Sequence, residues 1–290
     1  QYMEDREVIA WFLLDLSPSV DFGTLQNQKR NVLIDFVATL ARLLTRHGNR
    51  VGAMMFGSAI QRTVPARSGR LQVLRIINDL LNQPRLPHSS MTDLSALLKG
   101  GLHSIKKRSL VFVVSDFIST PGWERTLNLL SQHHEVIAIR LWDPREMDLP
   151  DIGPIVMEDA ETGEQLYVDT HDKHFRQRFK EAGIQREAAL NETFKRSRLD
   201  ALSLSTEEDL VRAIMRFALL RRQRRAYAVA KSGLTRSWAK APFSRRRSSR
   251  LFAPEANAAA SSSRDACFAA ARALGSKWSS SFIGRALAAP

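Results

Sequence analysis

The sequence predicts a Rossmann-like α/β domain, a sheet flanked by helices, followed by a disordered basic C-terminal tail. Three observations carry this. Four short apolar runs (residues 8–14, 51–56, 110–114 and 136–141) lack the alternation of a half-exposed strand, so they read as strands buried on both faces of a parallel sheet. Stretches of helical period separate the runs in chain order, as a parallel sheet with crossover helices requires. The charge is also segregated. Residues 1–220 carry 28 basic and 28 acidic side chains, so the whole formal net charge of +13 lies in the last 70 residues.

The first run ends in Asp15-Leu-Ser-Pro-Ser19, and Gly23 and Thr24 punctuate the loop beyond it. Residues 28–47 read as a helix, with Val32, Phe36, Leu40, Leu43 and Leu44 at spacings of three and four. Gly48-Asn49 is its stop signal. The run 51–56 closes at Gly57, and 60–64 alternates as a neighbouring antiparallel strand would. Residues 69–82 are helical, with Leu71, Leu74, Ile77 and Leu81 on one face. A loop over 84–91 leads into a helix over 92–106, and the run 110–114 ends in Ser115-Asp116-Phe117. Pro121 opens the next helix, to about residue 132, and the run 136–141 is followed by Trp142-Asp143-Pro144. Residues 156–159 and 165–169 flank Glu161-Thr-Gly163 as a hairpin near the sheet edge. A long charged helix over 172–198, a short strand at 202–204 and a last helix over 206–220 complete the domain. Ser205 and Glu208 form the capping box of that last helix.

The domain is expected over residues 1–225 and the tail over 226–290. The tail holds 18 Ala and 12 Ser with Arg clusters such as Arg245-Arg246-Arg247, too little apolar periodicity to bury a core. Its Arg clusters read as a solvated tail or an out-of-frame translation, with a tether for nucleic acid or anionic lipid as the functional alternative. The folded part is electroneutral, so no nucleic-acid partner is expected for it. The single Cys267 excludes a disulfide framework and a Cys-rich zinc module. No apolar run approaches the ~20 residues of a membrane span, and the polar start Gln1-Tyr-Met-Glu-Asp-Arg-Glu7 shows no signal peptide. A cytoplasmic protein is expected. A first residue other than Met suggests a fragment of a longer chain.

Asp15 and Asp116 stand at the C-terminal ends of buried strands, the edge at which open α/β sheets bind ligands. Asp15, Ser17 and Ser19 lie at i, i+2 and i+4, so on extended backbone one acid and two hydroxyls point the same way. That all-oxygen set suits a hard divalent ion such as Mg²⁺. The loop 89–93 supplies Thr92, as a ligand or a helix cap, and Asp116 supplies a second acid, directly or through water.

An Asp-x-Ser-x-Ser triplet, then a Thr ahead of a helix, then an Asp ending a later strand resembles a von Willebrand factor A domain. In that family five such residues form the metal-ion-dependent adhesion site. Carried over by position they are Asp15, Ser17, Ser19, Thr92 and Asp116. The resemblance implies bound Mg²⁺ or Mn²⁺, with one coordination position open for an acidic residue of a protein partner. A narrower resemblance covers roughly residues 5–222. Asp15-Leu-Ser-Pro-Ser-Val-Asp-Phe-Gly23, Arg50-Val-Gly52, Met91-Thr-Asp-Leu94, Ser115-Asp-Phe117, and Asp143-Pro-Arg-Glu146 with Leu149-Pro150 are similar to the bacterial "domain of unknown function 58" family. Members of that family usually sit beside a MoxR-type AAA ATPase, which implies an adaptor for such an ATPase in a chaperone-like or assembly role. Relatives carry a region before this point, sometimes with membrane helices. Where they often have Gly-Gly ahead of the Thr, this sequence has Ser89-Ser90-Met91.

Plainer readings remain beside these. Asp15 also reads as a strand-end cap, and Ser17 and Ser19 as turn formers beside Pro18, which leaves a metal-free interaction scaffold using the same face. Enzyme chemistry is not expected. Ser17 stands where a haloacid-dehalogenase phosphatase needs its second Asp, although a metal-dependent phosphoesterase stays as an alternative. Phe56-Gly-Ser-Ala-Ile60 lacks the second Gly of a nucleophile elbow, and no phosphate-binding Gly-x-x-x-x-Gly-Lys occurs. His171-Asp172-Lys173-His174 reads as a surface cluster at a helix start, since two His leave a zinc shell short.

Overall fold

The computed structural model describes residues 8–24, 27–86 and 92–238. The chain divides into two units. The first contains the described residues up to Ile214, and the second begins at Met215, its described part Met215–Trp238 being helical.

In chain order the elements are β1 (Ile9–Asp15), a 3-10 turn (Pro18–Asp21), β2 (Gly23–Thr24), β3 (Asn27–Gln28), α1 (Lys29–Arg46), β4 (Arg50–Phe56) and β5 (Ile60–Arg67). Then follow α2 (Arg70–Leu81), α3 (Leu94–Ser104), β6 (Leu110–Ser115), α4 (Trp123–His133) and β7 (Glu135–Trp142). A second 3-10 turn (Pro144–Glu146), β8 (Pro154–Glu158), β9 (Gln165–Asp169), α5 (Lys173–Arg196), β10 (Asp200–Ser205) and α6 (Leu210–Trp238) complete the series. The last helix runs past residue 225, where the composition changes; residues 239–290 of the expected tail lie outside the described residues.

Six strands form one sheet in the order β10-β7-β6-β1-β4-β5, parallel except for the edge strand β5, which pairs antiparallel with β4. The apolar runs are thus the inner strands of an α/β sheet, with helices over both faces. Alternate side chains sort to opposite faces. Trp11 and Leu13 of β1 and Val111 and Val113 of β6 share a core with Leu94, Leu97 and Leu98 of α3 and Leu127 and Leu130 of α4. On the other face Phe12 stacks on Phe112 at 5.2 Å, and Phe36 of α1 meets Phe112 edge-on at 6.0 Å. Helix α3 lies close on the sheet because it carries Gly101, where a Cβ would come within 2.7 Å of Leu13 Cδ1.

The chain leaves β1 for β4 on one side and returns to β6 on the other. The C-terminal ends of β1 and β6 therefore flank the point where strand order reverses, the crevice in which such sheets hold ligands.

Three local expectations need correction. In α2 the buried face is Gln72, Val73, Ile76 and Leu80, while Leu71, Leu74 and Leu81 are exposed. Gln72 explains the rotation: its Nε2 bonds Val51 O and Pro65 O, satisfying strand carbonyls that an apolar side chain would leave bare. The expected hairpin forms as β8–β9, a two-stranded sheet of its own. The capping box at Ser205 does not form. Ser205 Oγ accepts from Glu207 N (3.2 Å), and Asp209 Oδ1 accepts from Arg212 N (2.7 Å), so Asp209 caps α6. Ser19 is not on extended backbone either, as the turn Pro18–Asp21 carries it.

Candidate functional site

The loop after β1 is pinned at both ends. Leu16 N donates to Phe56 O of β4 (2.6 Å), and Lys29 N at the start of α1 donates to Phe22 O (3.0 Å). Between them Pro18 opens the 3-10 turn, as its fixed φ favours. Ser17 stands at that turn's N-cap, yet its hydroxyl makes no cap bond and instead faces Ser19 Oγ at 3.1 Å. The 3-10 geometry thus converges the two hydroxyls. Asp21 ends the turn and is held by Arg30 Nη1, which also ties the loop to α1. Asp15 closes β1: its Oδ1 accepts from Ser17 N (3.0 Å) and its Oδ2 from Ser115 Oγ (2.7 Å) at the end of β6. Asp15 therefore does organise its own turn, but one oxygen is spent across the strands.

Asp116 follows β6. Its Oδ1 accepts from Ile118 N (3.0 Å), and its Oδ2 accepts from Lys29 Nζ (2.8 Å). The residue between, Phe117, has a positive φ of 58°, a costly conformation for an aromatic residue. Its ring holds it there, 5.4 Å from Trp123 and 5.0 Å from Phe194. Lys29 also meets Glu146 Oε1 at 2.6 Å as an ion pair. Asp143 aims that glutamate by capping its turn through Arg145 N (2.8 Å), while Thr206 Oγ1 secures the other Asp143 oxygen (2.6 Å). The sequence motif Asp143-Pro-Arg-Glu146 is therefore a device for delivering a carboxylate to Lys29.

Thr92 is not the cap of α3. Asp93 takes that role, accepting from Ser95 N (2.9 Å), which leaves Thr92 free for another partner. That partner is Glu161 in the β8–β9 turn, whose Oε1 accepts from Thr92 Oγ1 (2.6 Å) and whose Oε2 accepts from Thr92 N (2.8 Å).

Asp15, Ser17 and Ser19 adjoin one another, Asp116 lies within electrostatic reach of Asp15, Thr92 is linked to both acids through Glu161, and all five are at most 3% exposed. Burial, with the charge of Asp116 next in weight, lifts the Asp15 pKa from an ordinary 3.8 to about 6, against the bonds from Ser115 and Ser17. Burial likewise raises Glu161, which Thr92 pulls down and Asp116 and Asp15 push further up. Glu146 is raised by burial against the pull of Lys29. For Lys29 burial works downward, but Asp116 and Glu146 outweigh it and leave the ammonium above its ordinary value. The cluster holds more buried negative charge than its lysine offsets.

Its donors are carboxylate and hydroxyl oxygens from Asp15, Ser17, Ser19, Thr92 and Asp116, a set that fits a hard divalent cation in chemistry. Among the described residues no three His, Cys, Asp or Glu side chains form a metal-holding group by themselves, so such an ion would depend on the hydroxyls. His171 pairs with Asp151 on the surface, where the sequence placed it. The loop residues Ser89–Met91 lie outside the described residues.

Sequence reasoning missed Lys29, Glu161 and Ser115 as members of the site. Lys29 had a signal. Two cations, Lys29 and Arg30, open α1, where the helix dipole disfavours positive charge, so each needs a local anion. Glu161 had none, because its reach to Thr92 spans 69 residues.

The fold and the site define a doubly wound α/β domain with a buried carboxylate and hydroxyl cluster at its switch point. The chain belongs to the family described as "Protein of unknown function DUF58", whose sequence model matches residues 1–189. An uncharacterized protein of Mycobacterium bovis is 32% identical over 223 residues, covering 77% of this chain and 70% of the relative. Two solved structures are similar. One is an aerotolerance-related membrane protein from Bacteroides fragilis (TM-score 0.49, 15% identity, 73% of this chain and 97% of that one). The other is BatB from Bacteroides thetaiotaomicron (TM-score 0.47, 14% identity, 73% and 98%). Among the described residues no helix is long and apolar enough to cross a membrane.

Proposed function

We infer that this protein is a cytoplasmic, metal-dependent protein-protein interaction module of the von Willebrand factor A type, without enzymatic activity. Mg²⁺ or Mn²⁺ would be held by Asp15, Ser17, Ser19, Thr92 and Asp116, and would supply an attachment point for an acidic residue of a partner. The observation that carries the reading is the excess of buried negative charge at the switch point. Asp15 is pushed to about 6 by burial and by Asp116, a strain that a cation among the same oxygens relieves. By family resemblance the partner is a MoxR-type AAA ATPase, with the module as its adaptor in a chaperone-like or assembly role.

One observation favours a second reading. Lys29 already sets a fixed positive charge on Asp116 at 2.8 Å, so part of the cluster is neutralised by the chain itself, as a metal-free scaffold would require. Calorimetry separates the two. Titration of Mg²⁺ and Mn²⁺ into the full chain should give saturable binding that Asp15→Ala abolishes while the variant stays folded. Absence of binding to the wild type, with a melting temperature indifferent to Mg²⁺, would select the scaffold.

A further inference from the structure

The β8–β9 hairpin is packed apart from the main core. Ile155, Met157 and Val168 form a small cluster with Phe175 and Phe179 of α5. Its turn is built without the Glu161 side chain. Asp159 N donates to Glu164 O (2.8 Å), Gly163 N donates to Asp159 O (2.8 Å), and Asp159 Oδ1 accepts from Glu161 N (2.8 Å). The Glu161 carboxylate instead leaves the hairpin and takes both donors of Thr92. A carboxylate at a turn tip ordinarily stays in water, since burial removes its hydration. This one is 1% exposed.

We propose that Glu161 is a chain-borne acidic occupant of the site, holding through Thr92 the position at which an acidic segment of a protein partner docks. The inference rests on the metal-site reading of Asp15, Ser17, Ser19, Thr92 and Asp116, and it adds that the described conformation is self-occluded. The chemistry matches, because occupant and incoming group are both carboxylates, the first held by Thr92 and the second meeting the ion that Thr92 would help to hold. Opening can be local, because the hairpin's apolar contacts are with Leu149 and with Phe175 and Phe179 of α5, a cluster separate from the core beneath Asp15 and Asp116. A tethered occupant lowers the partner's apparent affinity by the fraction of molecules in which the turn is open. A closed form favoured tenfold weakens the partner about tenfold.

The test uses the full chain, wild type beside Glu161→Gln, with Mn²⁺ binding measured first by calorimetry. A Glu-rich peptide is then titrated onto each protein at saturating Mn²⁺, and backbone hydrogen exchange is followed at Thr92 and Gly163. The peptide should bind Glu161→Gln about tenfold or more tightly than wild type. In wild type, its binding should speed exchange at the Thr92 amide, which Glu161 now protects. Equal or weaker peptide binding to a Mn²⁺-loaded Glu161→Gln overturns the proposal while leaving the metal site standing. Failure of wild type to take up Mn²⁺ overturns both. Glu161→Ala repeats the comparison should the amide itself hold the Thr92 donors.

Discussion

Asp15 is a carboxylate that the fold buries against its solvation. Its rise from 3.8 to about 6 comes first from burial and then from Asp116. At about 1.4 kcal/mol per pH unit, this corresponds to on the order of 3 kcal/mol acting against folding. The sign follows from which state holds the proton more tightly. The folded state does, so the contribution to stability is fully present below about pH 4, is lost as the pH rises through about 6, and stays lost above it. Asp15→Asn removes the charge but keeps the shape. Its amide oxygen can accept from Ser17 N, and its NH₂ can donate to Ser115 Oγ, a hydroxyl that already accepts from Phe117 N. In urea denaturation of metal-free protein at about pH 7.5, the variant should gain about 1–3 kcal/mol, less than the full shift because the hydrogen bonds rearrange. The gain should fade towards zero near pH 4, where both proteins are neutral at this position. A variant that is no more stable at neutral pH, or a gain independent of pH, would refute the argument that buried charge governs this residue.

Two further substitutions test the packing around the site. Lys29→Met should cost about 3–5 kcal/mol in the same denaturation assay, because it strands Asp116 and Glu146 in the interior without their ammonium. Adding Glu146→Gln should recover part of that loss, and a Lys29→Met protein as stable as wild type would show the pair to be inert. Gly101→Ala should cost about 1–3 kcal/mol, since its Cβ meets the fully buried Leu13 at 2.7 Å. Gly100→Ala should stay within about 1 kcal/mol of wild type. Its Cβ meets the Cδ1 of Ile60, an exposed side chain that can swing aside, and the Sδ of Met54 at 3.1 Å, the flexible end of a buried side chain that need give only slightly, while alanine favours the helix. Equal costs for the two would contradict this account of how α3 seats on the sheet.

The parts of the fold that were legible are those set by local periodicity. The runs at 8–14, 51–56, 110–114 and 136–141 became the inner strands, because continuous apolarity suits a surface covered on both sides. Acids placed at the ends of two such strands then had to face one crevice, so Asp15 and Asp116 could be paired from sequence order alone. What local pattern did not carry was decided by partners distant in the chain. Gln72 displaced Leu71 and Leu74 from the buried face of α2 because two strand carbonyls needed a donor. Thr92 could be placed near the site, but its actual partner belongs to a hairpin whose position no periodicity encodes.

The distribution of charge links these observations to the choice between an ion site and a scaffold. Lys29 and, more distantly, Arg140 act on Glu146, and Lys29 also covers Asp116. Neither hydroxyls nor backbone amides bring a positive charge to Asp15 or Glu161, and in both burial is the leading cause of the upward shift. A scaffold that never met a cation would be better served by Asn at position 15 and Gln at 161, which keep hydrogen bonds and shed the desolvation cost. On the reading proposed above, an acid that lowers stability at neutral pH beside the hydroxyls of Ser17, Ser19 and Thr92 is accounted for by a cation bound among the same oxygens. The stability gain expected of Asp15→Asn and the metal binding expected to vanish in Asp15→Ala are therefore two readouts of one charge, and they should move together.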